Sequence, residues 1–258
     1  MIQNPLVELW KREAVAFTGW LSIPSSWSAE IMARAGYDAV VVDMQHGLAD
    51  HGGLLAMLQA IGSAGVPALV RAPWNEPSGL MRALDMGAYG VICPMVNTPE
   101  ACEAFVAACR YPPRGFRSFG PTRSLVSIGP DYVAGAEAFS LTFAQIETAE
   151  GLANVEAIAA VPGLDGLYVG PYDLSLDLGL AEPGNLDDAR LLGACRTVLE
   201  AAQRHGLVAG IYTSGAQAGV RMAALGFRLV NIASDTTLLQ RAAASELRTA
   251  KGAVTSGR

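Results

Sequence analysis

Four short apolar runs in this chain end in residues able to do acid–base or metal chemistry. One reads Val41-Val42-Asp43-Met44-Gln45-His46-Gly47 and another Leu69-Val70-Arg71. Two more close as Gln145-Ile146-Glu147 and as Val169-Gly170-Pro171-Tyr172-Asp173. A charge at the end of a buried strand is costly unless something pairs with it. Glu147 and Asp173 matter most. Two carboxylates at close range repel, so one is protonated or a cation joins them, and an all-oxygen set with open positions suits Mg²⁺ or Mn²⁺. Each could instead pair with an arginine or cap the following helix. Histidine suits general-base work near neutral pH, which makes His46 a candidate base; a loop histidine bonded to backbone is the alternative. Arg71 can grip an enolate or carboxylate oxygen, or form a structural ion pair with Asp43 or Glu147. Gln145 lies two residues before Glu147 and faces the same side, either to position a water or as a buried amide. Gly170 lets backbone approach a ligand closely, and the amides that follow Pro171, from Tyr172 onward, could bind a carboxylate at a helix N-terminus. Asp85 is odd: it falls in the last turn of a helix, where an acid opposes the macrodipole.

Positioning these residues needs strands that end on one rim. The pattern predicts eight: 17–23, 39–43, 68–71, 90–94, 141–147, 166–169, 208–212 and 228–233. Ala-rich amphipathic helices are expected at 28–35, 53–63, 78–86, 99–110, 151–160, 186–205, 216–225 and 236–251. Near-continuous apolar strands joined by helices describe a parallel sheet buried on both faces. Eight such units in 258 residues favour an α/β fold closed as a (β/α)8 TIM barrel, a single domain spanning 1–258. Barrel active sites lie at the C-terminal strand ends, where these residues sit. The one long irregular stretch, 111–135, holds Arg114, Arg117 and Arg123 and reads as a functional loop. Arg123 is a candidate grip for an acceptor carboxylate.

Composition narrows the class. The net charge of −6 comes without a basic stripe, which argues against nucleic acid. Apolar runs are short and broken, so no membrane span is expected, and the polar Pro-containing start predicts no secretory signal. Four cysteines without CxxC spacing fit a reducing, cytoplasmic setting. No dinucleotide fingerprint or phosphate loop is present. Lysine occurs only at Lys11 and Lys251, neither at a strand end, so a Schiff-base route is effectively excluded.

Several motifs together resemble one family. They are Val42-Asp43-Met44-Gln45-His46-Gly47, Val70-Arg71-Ala72-Pro73-Trp74-Asn75, Val91-Ile92-Cys93-Pro94-Met95-Val96, Arg110-Tyr111-Pro112-Pro113-Arg114-Gly115, Gln145-Ile146-Glu147-Thr148 and Gly170-Pro171-Tyr172-Asp173-Leu174-Ser175. In this order, from Phe17 to Leu239, the chain resembles the class II hydroxy-oxo-acid aldolases, such as those acting on 4-hydroxy-2-oxoheptanedioate, 2-keto-3-deoxyrhamnonate and 2-dehydro-3-deoxyglucarate. The resemblance implies that Glu147 and Asp173 ligate a divalent metal (Mg²⁺, Mn²⁺ or Co²⁺) that chelates pyruvate or hydroxypyruvate. It implies that Arg71 stabilises the enolate oxygen, that His46 moves protons, and that Asp85 orients the histidine of a neighbouring subunit. It further implies a homohexamer, a dimer of trimers, with the last helix exchanged between subunits. The expected reaction is reversible cleavage of a 4-hydroxy-2-oxo acid to the 2-oxo acid and an aldehyde. A citrate-lyase-like or malyl-CoA-like lyase and an oxaloacetate decarboxylase are the alternatives. Met44-Gln45 stands where many relatives carry Gly-Glu, and the 119–123 segment looks shorter than theirs.

Overall fold

Eight parallel strands follow one another around a closed barrel in chain order, in a computed structural model that describes residues 2–256. They are β1 Ala16–Leu21, β2 Ala39–Asp43, β3 Ala68–Arg71, β4 Gly90–Cys93, β5 Leu141–Ile146, β6 Gly166–Val169, β7 Val208–Ile211 and β8 Leu229–Ser234. Every expected strand forms, with ends moved by a few residues. Between them run α1 Pro5–Trp10, α2 Ser26–Arg34, α3 His51–Ser63, α4 Pro77–Asp85, α5 Pro99–Cys109, α6 Ser124–Ser127 and α7 Tyr132–Phe139. The second half adds α8 Ala149–Ala153, α9 Val155–Ala159, α10 Pro171–Asp177, α11 Ala189–Arg204, α12 Ala216–Leu225 and α13 Asp235–Ser256.

Local chemistry sets where the helices begin. Ser25, Asp50, Glu76, Thr98, Thr148 and Asp188 each cap one by accepting from first-turn amides. Asp188 explains why α11 starts later than its apolar pattern suggests. Gly87 follows α4 at φ 95°, a conformation other residues resist. The expected single helix at 151–160 is instead two, because Asn154 leaves helical geometry and donates its side-chain amide to Asn97 O at 2.8 Å. The 111–135 segment is less irregular than expected. Its prolines mask α6 and the start of α7, where buried Tyr132 and Phe139 stack edge to face.

Interior side chains stack in layers of four taken from alternate strands. Following the strand register, Thr18, Leu69, Phe143 and Gly210 form one layer, and Val41, Ile92, Tyr168 and Asn231 the next. Trp20, Arg71, Gln145 and Tyr212 form the layer above. The barrel therefore changes from apolar to chemically active along its axis. At the opposite end α1 acts as a plug, with Leu6 buried and Trp10 donating its indole N–H to Arg228 O at 2.9 Å. Outward-facing Val40, Val42, Val70 and Val91 pack under the helices. Helix α13 differs from the others: residues 238–252 are all exposed. Among the described residues, no helix is long and apolar enough to cross a membrane.

Candidate active site

The top layer opens at the C-terminal strand ends into a cleft of about 320 Å³. Asp43, His46, Arg71, Gln145, Gly170, Pro171, Tyr172 and Asp173 all line it. Four segments distant in sequence are thus brought to one rim.

Asp43 and Arg71 occupy paired register positions on β2 and β3. The carboxylate takes both ends of the guanidinium fork, with Oδ1 accepting from Nε at 2.9 Å and Oδ2 from Nη2 at 2.6 Å. Oδ2 also accepts from the Trp20 indole N–H at 3.1 Å, and Oδ1 from the amides of Gln45 and His46. The Arg71 guanidinium carbon lies 4.9 Å from the Trp20 ring centre. Burial alone would raise the Asp43 carboxyl, but the Arg71 guanidinium prevails and holds it below the usual range. Of the two partners the sequence leaves open for Arg71, the structure selects Asp43. His46 is exposed on the turn after β2, and its amide is fixed by Asp43.

Glu147 follows β5 directly and is 1% exposed. Its Oε1 accepts from the Met95 amide at 2.8 Å, and its Oε2 from the Gln145 side-chain amide. Met95 reaches it from a left-handed backbone at φ 56°, uncommon for a non-glycine residue. No cation pairs with Glu147 among the described residues. Burial, with the charge of Asp173 adding to it, pushes its carboxyl up to about 7 against those two hydrogen bonds and the more distant charge of Arg71. Asp173 sits exposed in the first turn of α10 and makes no ion pair among the described residues. Gly170 fits the carboxylate closely: a Cβ there would stand 2.6 Å from Glu147 Oε2 and 2.8 Å from Gln145 Nε2. The Gln145 side-chain oxygen Oε1 is buried with no hydrogen-bond partner among the described residues.

Two unpaired carboxylates beside an unpartnered amide oxygen make an all-oxygen set that fits a hard divalent cation. No group of three or more His, Cys, Asp or Glu side chains clusters among the described residues, so such a cation would keep positions for water or substrate.

Two expected site residues lie elsewhere in the chain. Arg123 donates to the carbonyl oxygens of Met86 at 2.6 Å and Leu58 at 3.3 Å, closing the end of α4 away from the cleft. Asp85 is held by fully buried Arg117 at 2.6 Å, which offsets the unfavourable position at its helix end. Conversely, Trp20, Tyr168 and Tyr212 line the cleft but read in the sequence as ordinary strand apolar content. Their parity with Asp43 and Arg71 along inward-facing positions is the one signal that marks them.

The family profile described as HpcH/HpaI aldolase/citrate lyase matches residues 17–242. The hydroxypyruvate/pyruvate aldolase of Rhizorhabdus wittichii is 43% identical over 93% of this chain and 96% of its own length. A 4-hydroxy-2-oxo-heptane-1,7-dioate aldolase of Escherichia coli is 36% identical over 87% of this chain and 86% of its own. The crystal structure of an HpcH/HpaI aldolase/citrate lyase family protein from Burkholderia cenocepacia J2315 superposes with a TM-score of 0.87 at 32% identity, covering 96% of this chain and 100% of that one. With the profile spanning nearly the whole barrel and such relatives aligned almost end to end, the chain belongs to the HpcH/HpaI aldolase/citrate lyase family.

Proposed function

We propose that this cleft catalyses reversible aldol cleavage of a 4-hydroxy-2-oxo acid, yielding pyruvate or hydroxypyruvate and an aldehyde, with a divalent cation bound by Glu147 and Asp173. The observation that carries this reading is the buried Glu147 carboxylate, held by two hydrogen bonds, within electrostatic reach of Asp173 and in no ion pair among the described residues. A bound Mg²⁺, Mn²⁺ or Co²⁺ supplies Lewis acidity toward the keto acid. Arg71, fixed by Asp43, supports the oxygen on which enolate charge develops. Gln145 holds Glu147 in place, while Gly170, Pro171 and Tyr172 shape the wall beside the 2-oxo acid. His46 moves the proton at the hydroxyl that becomes the aldehyde. In the synthetic direction a proton leaves the carbon next to the keto group. That carbon bonds to the aldehyde carbon, and the aldehyde oxygen takes up a proton.

A citrate-lyase-like reaction on a CoA ester needs cations for the CoA phosphates. Within the chain Arg117 and Arg123 are committed elsewhere, and Arg114 pairs with Glu137 on the surface, which favours the free 2-oxo acid. Oxaloacetate decarboxylation passes through the same enolate and is expected as a side activity. The exposed run 238–252 of α13 supports a homo-oligomer, read here as a hexamer built as a dimer of trimers in which Asp85 serves a neighbour's cleft. The setting we assign is cytoplasmic.

Exchange of the pyruvate methyl protons in deuterated water tests the reading. Chelation is expected to stop exchange and Mg²⁺, Mn²⁺ or Co²⁺ to restore it. Exchange that persists without metal would overturn it.

A further inference from the structure

The acceptor side of the cleft carries its own chemistry. The carboxylates stand at β5 and β6 and Arg71 at β3. On the far side of Tyr212, where β8 runs into α13 and meets β1, the cleft is lined by four hydroxyl-bearing residues, Ser22, Ser234, Thr236 and Thr237. Three of them are already linked: Ser234 Oγ lies 3.1 Å from Thr236 Oγ1 and 2.8 Å from Thr237 Oγ1. Hydroxyls both donate and accept, so such a row matches a ligand that does the same. Aromatic faces border it. Tyr212 stacks edge to face on Trp20 at 5.3 Å and on Tyr172 at 6.0 Å, giving a wall against which C–H groups can pack.

The same region is poorly suited to an anion. Arg71 is the one guanidinium or ammonium group lining the cleft among the described residues, and Asp43 holds it at two points. A helix N-terminus would ordinarily attract negative charge, and α13 begins here. Its first turn is already occupied. Asp235 accepts from the amides of Thr236 at 2.7 Å and of Ser22 and Ile23 at 3.0 Å, while Ser234 Oγ accepts from the Thr237 amide at 3.2 Å. Asp43 and Arg71 offset one another, so among the described residues no uncommitted cationic side chain lines this side of the cleft to hold a second carboxylate or a phosphate.

We infer that the acceptor is an uncharged hydroxyaldehyde, bound through the Ser234–Thr237 hydroxyl row and the Tyr212–Tyr172 aromatic wall. This inference rests on the aldolase reading above. A site built to bond a substrate hydroxyl discriminates strongly against analogues lacking it.

The test uses the metal-loaded protein with pyruvate and three acceptors: glyceraldehyde, propanal and succinic semialdehyde. The expected result is a KM for glyceraldehyde at least about tenfold below those of the other two. The variant Thr237→Val is expected to reduce the glyceraldehyde-to-propanal preference in kcat/KM by about tenfold. A lower KM for succinic semialdehyde, or a preference for propanal, would overturn the inference. The pyruvate proton-exchange assay on the same wild-type sample separates the two claims. Exchange with the wrong acceptor order defeats only the acceptor assignment, whereas no metal-dependent exchange defeats the aldolase reading itself.

Discussion

Asp43 holds Arg71 through two parallel hydrogen bonds of 2.9 and 2.6 Å, so the guanidinium that faces the cleft has its orientation set by a neighbouring strand. A two-point grip of this kind fixes direction as well as charge. Asp43→Asn removes the charge and half of that grip. We expect kcat to fall about 100-fold, the scale of a small misplacement of a catalytic group. Arg71→Lys keeps the charge without the fork and is expected to lose a similar factor while keeping the barrel folded. Steady-state cleavage kinetics alongside circular dichroism check both. Normal turnover in either variant would remove Arg71 from the enolate role.

Gly170→Ala asks whether the carboxylate cradle matters. The added methyl would press on Glu147 Oε2 and Gln145 Nε2 at 2.6 and 2.8 Å. Displacing these groups should weaken metal affinity by about 10–100-fold. Titrating Mn²⁺ into the metal-free variant reads this directly. Unchanged affinity would mean that the cation binds elsewhere.

Metal removal should leave a pH signature in stability. The Glu147 carboxyl rises from 4.5 to about 7 in the metal-free fold, so the folded state binds a proton the unfolded chain has released. Its contribution is full below about pH 4.5 and is lost as pH rises through about 7, on the order of 3 kcal/mol in all. Chelated wild-type protein should therefore lose more stability between pH 5 and 8 than chelated Glu147→Gln. Denaturant unfolding at several pH values checks the difference. Parallel curves would contradict the burial argument.

Asp85 needs a careful variant. Its partner Arg117 has a fully buried side chain stacked 4.6 Å from the Tyr111 ring centre. Asp85→Ala would leave that cation unpaired and cost about 3 kcal/mol, a fall in melting temperature of roughly 10 °C. Loss of activity in that variant would say little about catalysis. Asp85→Asn keeps a hydrogen-bond acceptor, and thermal melting is expected to show a drop less than half as large.

The strands were legible because each is a near-continuous apolar run, the mark of burial on both faces, and Asp43, Arg71 and Glu147 stood out because charge at such ends is costly. Met95 was not legible. It acts through its backbone amide, held by a left-handed turn, and its side-chain type carries no hint of that. Trp20 and Tyr212 blended into the apolar runs until the layering set them beside Arg71. Arg123, expected at an acceptor carboxylate, has the same sequence appearance as an arginine closing a helix end. Only the packing of α6 on α4 distinguishes the two. Helix α10 stayed hidden because Gly170-Pro171 reads as a turn, yet proline at a first helical position is favourable.

The most direct measurement is calorimetric titration of Mn²⁺ into metal-free protein, comparing wild type with Glu147→Gln and Asp173→Asn. One site per chain is expected in the wild type, with affinity lowered at least about 100-fold in either variant, since each removes one charged ligand. Wild-type affinity retained in both variants would contradict the account.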